Sequence, residues 1–479
     1  MTDSFYWHDY ETWGARPSSD RPCQFAGMRT DADLNPVGEP LTLFCRPADD
    51  LLPLPEACLV TGITPQRAEA EGIPEAEFAR RIQRELAIPG TCSVGYNSLR
   101  FDDEVTRHLF YRNLLDPYAH AFRNGNSRWD LIDALRLAHA LRPEGIHWPE
   151  REPGITSFRL EHLTAANGIG HAHAHDALSD VRATIALARL LKGAQPRLFD
   201  HALRLRDSAK VCALLERGQP LLHVSQRYSA AQGCIAPVLV VAEHPRNSKE
   251  QLCFDLRHDP SILLDLTPEA IAERLFTAAD DLPEGVERIS VKGFKINACP
   301  MLAPMGTLTD AAAERWDIDR AQVQQHAGRL LAAREQMADN LRQAYGLRQF
   351  VEPTDPEQML YSGGFFSAAD RQRMERLRVL PPSDLADSLP RFDDRRLPTL
   401  LFRMRARSWP ETLSAGERED WDAWRFERLT DPDAGASITI DGFEQRIAEL
   451  RNDLAGEPAR LALLDALEEW AERVMDAAT

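Results

Sequence analysis

Apolar spacings of two and of about 3.6 residues alternate along the first 190 residues. Phe5, Tyr6 and Trp7 are bulky β-formers and predict a first strand that ends on Trp7-His8-Asp9-Tyr10-Glu11-Thr12. Gln24–Thr30 and Leu41–Arg46 predict two more strands, joined by turn formers at Asp33–Gly38. Three successive strands suggest an antiparallel run. Phe78, Ile82 and Leu86, four apart within Pro74–Leu86, predict a helix. Cys92–Tyr96 predicts a short apolar strand, and a helix with Val105, Leu109, Phe110 and Leu114 on one side follows it. Leu131–Leu141 and Ser157–Asn167 predict two further helices, the second stopped by Gly168. After His171-Ala172-His173-Ala174-His175-Asp176 comes an apolar helix from Ala177 to Leu191, and Gly193-Ala194-Gln195-Pro196 breaks the pattern.

The next 150 residues change character. A short helix near His201–Arg217 precedes the strand-like runs Leu221–Tyr228, Cys234–Ala242, Gln251–Leu256, Ser261–Leu266 and Arg288–Ile296, which suggest a small barrel or sandwich. Helices between Ala311 and Tyr345 close this region, and Val351-Glu352-Pro353-Thr354-Asp355-Pro356 interrupts the chain again. Everything beyond reads as helix, with amphipathic segments at Gln445–Leu454 and Ala459–Met475. Three domains are the simplest division: an α/β domain at 5–192, a barrel with flanking helices at 197–350 and a helical domain at 353–479.

Composition narrows the class without deciding it. No run of about 18 apolar residues appears, so no transmembrane helix is expected. The start, Met1-Thr2-Asp3-Ser4, lacks the basic and apolar pattern of a secretory leader. Eight scattered cysteines with no C-x-x-C pair fit reduced thiols in the cytoplasm. A net charge of -18 argues against nucleic acid as a partner only on average, because a local groove can differ. Lysine is absent before Lys192, and arginine suits phosphate, although a general scarcity of lysine explains most of that bias.

The acidic residues carry the chemistry. Asp9 and Glu11 project from one strand face about 6–7 Å apart, where they repel unless a cation lies between them. A strand ending at a solvated acidic turn is the plain alternative. Asp102 and Asp103 fall in the first turn of a helix, where carboxylates also suit the unpaired amides. Asp176 and Asp180 share a helix face, so Asp176 could compete with Asp180 as a ligand, although its position at the helix start favours capping. The alternating histidines suit a transition metal. A catalytic His175 with two solvated neighbours, His171 and His173, fits the following helix start better. Four carboxylates and a histidine from three segments are what two-metal phosphodiester hydrolysis needs: two ions clamp the attacking and leaving oxygens, and the histidine takes a proton from water.

In these residues the chain resembles the DEDD exonuclease superfamily in its histidine subtype. The strings H-D-Y-E-T, F-D-D-E-V-T-R, F-Y-R-N, N-S-R-W-D-L, A-L-R-P-E-G-I and S-F-R-L-E-H-L-T are similar to those of the bacterial exonuclease I family, and the similarity spans essentially the whole chain. The resemblance implies an RNase H-like exonuclease domain, an SH3-like barrel domain and a helical C-terminal domain, the latter two arching over the first. It implies that Asp9, Glu11 and Asp180 ligate two Mg2+ ions, for which Mn2+ can substitute. Asp102 would complete the acidic set, and His175 would be the general base. Glu11, Arg107, Tyr118, Phe122, Arg136 and Arg159 would contact the strand being degraded, with Phe122 standing where relatives have tryptophan. Arg142 would receive the acidic C-terminal tail of single-stranded DNA-binding protein, and His201 replaces a tyrosine expected near that site.

The expected activity is therefore 3′-to-5′ hydrolysis of single-stranded DNA to 5′-mononucleotides, in DNA repair and recombination, by a cytoplasmic monomer. A 3′ RNA exonuclease of the same superfamily and a non-catalytic single-strand-binding adaptor are the alternatives; the 2′-OH separates the first. The five-residue acidic and histidine set argues against the second.

Overall fold

The computed structural model describes residues 4–171, 175–386 and 390–476. They divide into two compact units, one drawn from Met1–Ser127, His171–Arg182 and Glu352–Thr479, the other from Arg128–Gly170 and Ala183–Val351. Among the described residues the strands form two five-stranded sheets and one hairpin.

The first sheet contains β1 (Ser4–Thr12), β2 (Pro22–Thr30), β3 (Leu41–Phe44), β4 (Thr91–Gly95) and β5 (Ser127–Asp130), in the order β3-β2-β1-β4-β5. β1 runs antiparallel to β2 and parallel to β4, so the expected antiparallel run holds for the first three strands and the sheet is mixed. Alternation along β1 decides its faces. Tyr6 and Tyr10 enter a core with Phe25, Val105 and Leu109, and with Phe78, Ile82 and Leu86 of the helix Glu75–Leu86. Asp9 and Glu11 consequently face the other way. The β1–β2 ladder shifts register between Glu11 and Thr12, a bulge that ends regular pairing at the carboxylates. Gly95 closes β4 beside them: a Cβ there would lie 3.0 Å from the His8 carbonyl oxygen, so glycine lets β4 run this close to β1.

The helices of the C-terminal segment belong to the first unit. Trp13, Cys23, Phe44 and Leu52 share a core with Leu429, Phe443, Ile447, Leu467 and Trp470, contributed by helices within Ala415–Thr430, Ile440–Asp453 and Pro458–Asp476. A buried ionic network joins the same partners. Glu75 accepts two 2.9 Å bonds from Arg112 and a longer one from Arg21. Asp50 accepts Arg407 Nε at 3.0 Å and Nη2 at 2.8 Å, and Glu357 pairs with Arg407, Arg21 and Arg403.

In the second unit, β6 (Glu150–Glu152) and β7 (Ile155–Thr156) form a hairpin. β8 (Leu221–Val224), β9 (Ile235–His244), β10 (Asn247–Asp255), β11 (Val291–Lys295) and β12 (Met301–Pro304) form an antiparallel sheet in the order β11-β10-β9-β8-β12. Two expectations are corrected here. Ser261–Leu266 is not a strand; Ile262–Asp265 is helical, entered through a turn in which Asp259 accepts the Ser261 amide. A short run of Ile and Leu carries no period that separates the two states. The helix expected over His201–Arg217 is two helices, Pro196–Arg204 and Ser208–Leu215, because Asp207 breaks the run and caps the second by accepting from the Ala209 amide.

Candidate metal centre and active site

Three anchors bring the acidic residues together. The amide of Tyr10, between Asp9 and Glu11, donates to Asp102 Oδ1 at 3.1 Å, which ties the start of the helix Asp102–Arg112 to β1. Gln24 pairs with Glu11 across the β1–β2 ladder. Its side chain donates to Asp176 Oδ2 at 3.3 Å and accepts from the Ala177 amide at 3.2 Å. The helix Ala177–Ala194 thus starts against β2, and Asp180 reaches β1 from its first turn. Nothing in the local sequence signals this use of Gln24.

Among the described residues, Asp9, Glu11 and Asp180 form the group able to hold a metal, with one carboxylate oxygen from each lying within 4.8 Å of the others. An all-oxygen set of this kind fits a hard divalent cation such as Mg2+ or Mn2+. The electrostatics agree with the geometry. Burial raises the Asp9 carboxyl well above its usual range, and Asp102, Glu11 and Asp180 raise it further. Glu11 is pushed up to about 9, first by burial and then by Asp180 and Asp102. Asp180 is raised by burial, and the hydrogen bond from His171 opposes the rise. These groups resist ionisation together, and a bound divalent ion inverts that preference.

A pH-dependent stability follows. Without a cation, folded Glu11 keeps its proton between about 4.5 and 9 while the unfolded chain has released it. The native state then binds more protons, so metal-free stability falls as pH rises through this window. A cation removes the penalty. The rise in melting temperature between EDTA and Mg2+ is expected to be larger at pH 8.5 than at pH 6; an equal or smaller rise at the higher pH would contradict this.

The histidine motif needs one correction. The expectation that His171 is solvated is overturned: its side chain is 4% exposed, and Nε2 lies 2.5 Å from Asp180 Oδ1. The carboxylate supplies a partner that a solvated loop would not. His173 lies outside the described residues. His175 is exposed just before the helix, at φ +66°, in a left-handed region that histidine tolerates better than most residues. Asp176 caps the helix by accepting from the Ser179 amide at 3.1 Å. Asp103 is buried in the first turn of its helix.

The residues assigned to strand contact fall in both units. In the first, Arg107 Nη1 lies 2.5 Å from Glu104 and 3.1 Å from Tyr361 Oη, with its guanidinium 5.8 Å from the Tyr118 ring centre. Tyr118 meets Phe365 edge-on at 5.8 Å, and a cleft of about 400 Å³ is lined by Tyr118, Arg123, Phe365 and Arg371. Phe122 is 63% exposed and Phe365 is 84% exposed. Tyr361 and Phe365, absent from the expected set, come from the C-terminal segment, and no local spacing points to them. In the second unit, Arg136 is buried and paired with Asp133 Oδ1 at 2.7 Å, whereas Arg159 is exposed. Arg142 donates to the Thr307 carbonyl at 3.1 Å, and His201 Nε2 lies 2.7 Å from the Leu302 carbonyl.

Comparison with known proteins gives this centre its context. An exonuclease family model matches residues 6–188, an exonuclease I SH3-like domain model residues 206–347 and an exonuclease I C-terminal domain model residues 354–474. The chain is 43% identical to exodeoxyribonuclease I of Escherichia coli (strain K12), covering 98% of each, and 41% identical to that of Haemophilus influenzae, covering 98% of this chain and 99% of the relative. Among solved structures, exonuclease I of Methylocaldum szegediense superposes with a TM-score of 0.94 at 49% identity, over 99% of this chain and 100% of that one. The zinc-bound form of an E. coli exonuclease I–single-stranded DNA complex matches with a TM-score of 0.93 at 42% identity, over 99% and 100%. An SSB/exonuclease I structure in complex with the inhibitor CFAM matches with a TM-score of 0.90 at 42% identity, again over 99% and 100%. The mixed-sheet exonuclease domain, SH3-like domain and helical C-terminal domain therefore occur in the same order as in these enzymes, and the chain belongs to the exonuclease I family of DNA-degrading enzymes.

Proposed function

We propose that this chain removes nucleotides from the 3′ end of single-stranded DNA, releasing 5′-mononucleotides, in DNA repair and recombination. The observation that carries the reading is the meeting of Asp9, Glu11 and Asp180 oxygens within 4.8 Å on one face of β1. The zinc-bound relative on single-stranded DNA supports both the metal and the substrate. Mg2+ is the proposed cofactor, two ions per site, with Mn2+ as a substitute. Asp9, Glu11 and Asp180 would hold them, and ions there would supply a polarised nucleophile and stabilise charge on the departing 3′ oxygen.

The chain's own groups do the rest. Asp9 and Glu11 hold their positions because β1 pairs with β2 along their length and the Tyr10 amide between them donates to Asp102. Asp102, bonded to the backbone between them, adds negative charge and keeps the helix start in place. His175, exposed at the mouth of the helix, takes the proton from the attacking water. Tyr118 and Phe122 are the proposed ring faces on which bases stack without sequence preference, and Arg107, Arg136 and Arg159 are the proposed phosphate contacts. The proposed domains are 5–192, 197–350 and 353–479, in a cytoplasmic monomer. An SSB-bound relative supports a partner role, for which Arg142 is the proposed contact of the acidic SSB tail.

Matched single-stranded DNA, blunt duplex DNA and RNA, incubated with Mg2+, test the reading. Rapid loss of the DNA single strand with resistance of the duplex and the RNA is expected. Equal digestion of RNA would favour the RNA exonuclease, and retention of all three would favour the binding adaptor.

A further inference from the structure

Within the alternating histidine motif, His175 has a proposed role and His171 has none, yet His171 is the one turned inward. We propose that His171 is a positioning residue of the metal centre: its Nε2–H holds the Asp180 carboxylate in the orientation that faces Asp9 and Glu11. The proposal rests on the metal-dependent nuclease reading above.

The three carboxylates are unequally supported. Asp9 and Glu11 lie on a strand that pairs with β2 along their length and is bonded through the Tyr10 amide to Asp102, whereas Asp180 arrives from the first turn of a helix. Repulsion from two neighbours favours swinging Asp180 away, and hydrogen bonds from the His171 ring and the His175 backbone hold it against that. A carboxylate that ligates a metal is ionised and only accepts hydrogen bonds, so in the metal-bound centre His171 Nε2 is the donor across the 2.5 Å contact with Oδ1. The His171 side chain is 4% exposed, which limits its replacement by water. The contact engages Asp180 Oδ1, and the His175 backbone also bonds this carboxylate. Carboxylates that ligate metals are commonly held by such outer partners, and losing one weakens metal binding by about 10–100-fold.

The test is Mn2+ affinity measured without DNA, by the electron paramagnetic resonance signal of free Mn2+, for the parent, His171→Ala, His171→Gln and Asp9→Ala. His171→Ala is expected to bind about 10–100-fold more weakly. His171→Gln, whose amide nitrogen reaches to a similar depth, is expected to recover most of the affinity. With saturating Mn2+, His171→Ala is expected to keep most of its kcat on DNA, the loss lying in the metal requirement. Melting in EDTA establishes that the variants are folded. Parent-like affinity in His171→Ala, with affinity lost in Asp9→Ala, would overturn the proposal and leave the metal centre standing. An equal loss in His171→Gln and His171→Ala would overturn it too, because the ring would then be a ligand itself. Parent-like affinity in Asp9→Ala would bring down the metal centre and this proposal together.

Discussion

Asp9→Ala is expected to lower the rate of single-strand digestion by at least about 10³-fold, equivalent to about 4 kcal/mol of lost transition-state stabilisation. Asp9 shares its strand face with Glu11 and supplies one of the three oxygens that converge within 4.8 Å. Removing it leaves two ligands and opens the centre to water. The same change relieves repulsion when no cation is bound, because Glu11 and Asp180 both raise the Asp9 carboxyl. Melting of Asp9→Ala in EDTA is therefore expected at or above the parent temperature, with single-strand binding largely kept. His175→Ala is expected to lose activity as well, without the gain in metal-free stability. Full activity in either variant would remove that residue from the reaction. A large drop in the EDTA melting temperature of Asp9→Ala would show that its carboxylate has a folding role instead.

The second large effect lies away from the metal centre. Glu357→Gln is expected to destabilise the protein by about 3–5 kcal/mol, the cost of breaking a buried ion pair from one side. Glu357 is buried among Arg21, Arg403 and Arg407. Burial alone would raise its carboxyl, but Arg407 and Arg21 hold it well below the usual range. Glutamine keeps the shape and leaves those guanidinium groups undercompensated in a dry site. Glu77→Gln, on a surface pair with Arg80 and Arg81, is the control and is expected to cost under about 0.5 kcal/mol. Urea unfolding followed by tryptophan fluorescence measures both; equal midpoints would contradict the network's role. Acid acts on the same network. Glu75 is lowered from 4.5 to about 2, since Arg112 and Arg21 outweigh the burial that would raise it. A depressed carboxyl stabilises the fold above the unfolded value, so this contribution is lost as pH falls from about 4.5 through 2.

The parts of the fold that could be read in the chain are those set by local periodicity. Phe78, Ile82 and Leu86 do line one helix face, and β1 alternates as its residues require. The domain types were legible through the motif strings and their order, as the family models agree. Ser261–Leu266 failed because four apolar residues fit a strand or a helix equally well. The ionic network was invisible because its partners are far apart in sequence: Arg407 and Asp50 are separated by 357 positions. In the candidate site, the Asp9–Glu11 pair was legible from a two-residue period, and the placement of Asp180 depends on Gln24, which carries no local signal. His171 was misread for a related reason. It lies nine positions before Asp180, so no periodic rule brings the two together.

The central claim is that β1 and its neighbours hold divalent ions that cleave a strand from its 3′ end. Its most direct test is digestion of a 5′-labelled single strand by protein stripped with EDTA, followed by return of Mg2+. The expected result is an intact strand in EDTA and, once Mg2+ is added, progressive shortening in which the 5′ label is released last. Shortening that persists in EDTA, or release of the 5′ label as the first product, would contradict the claim.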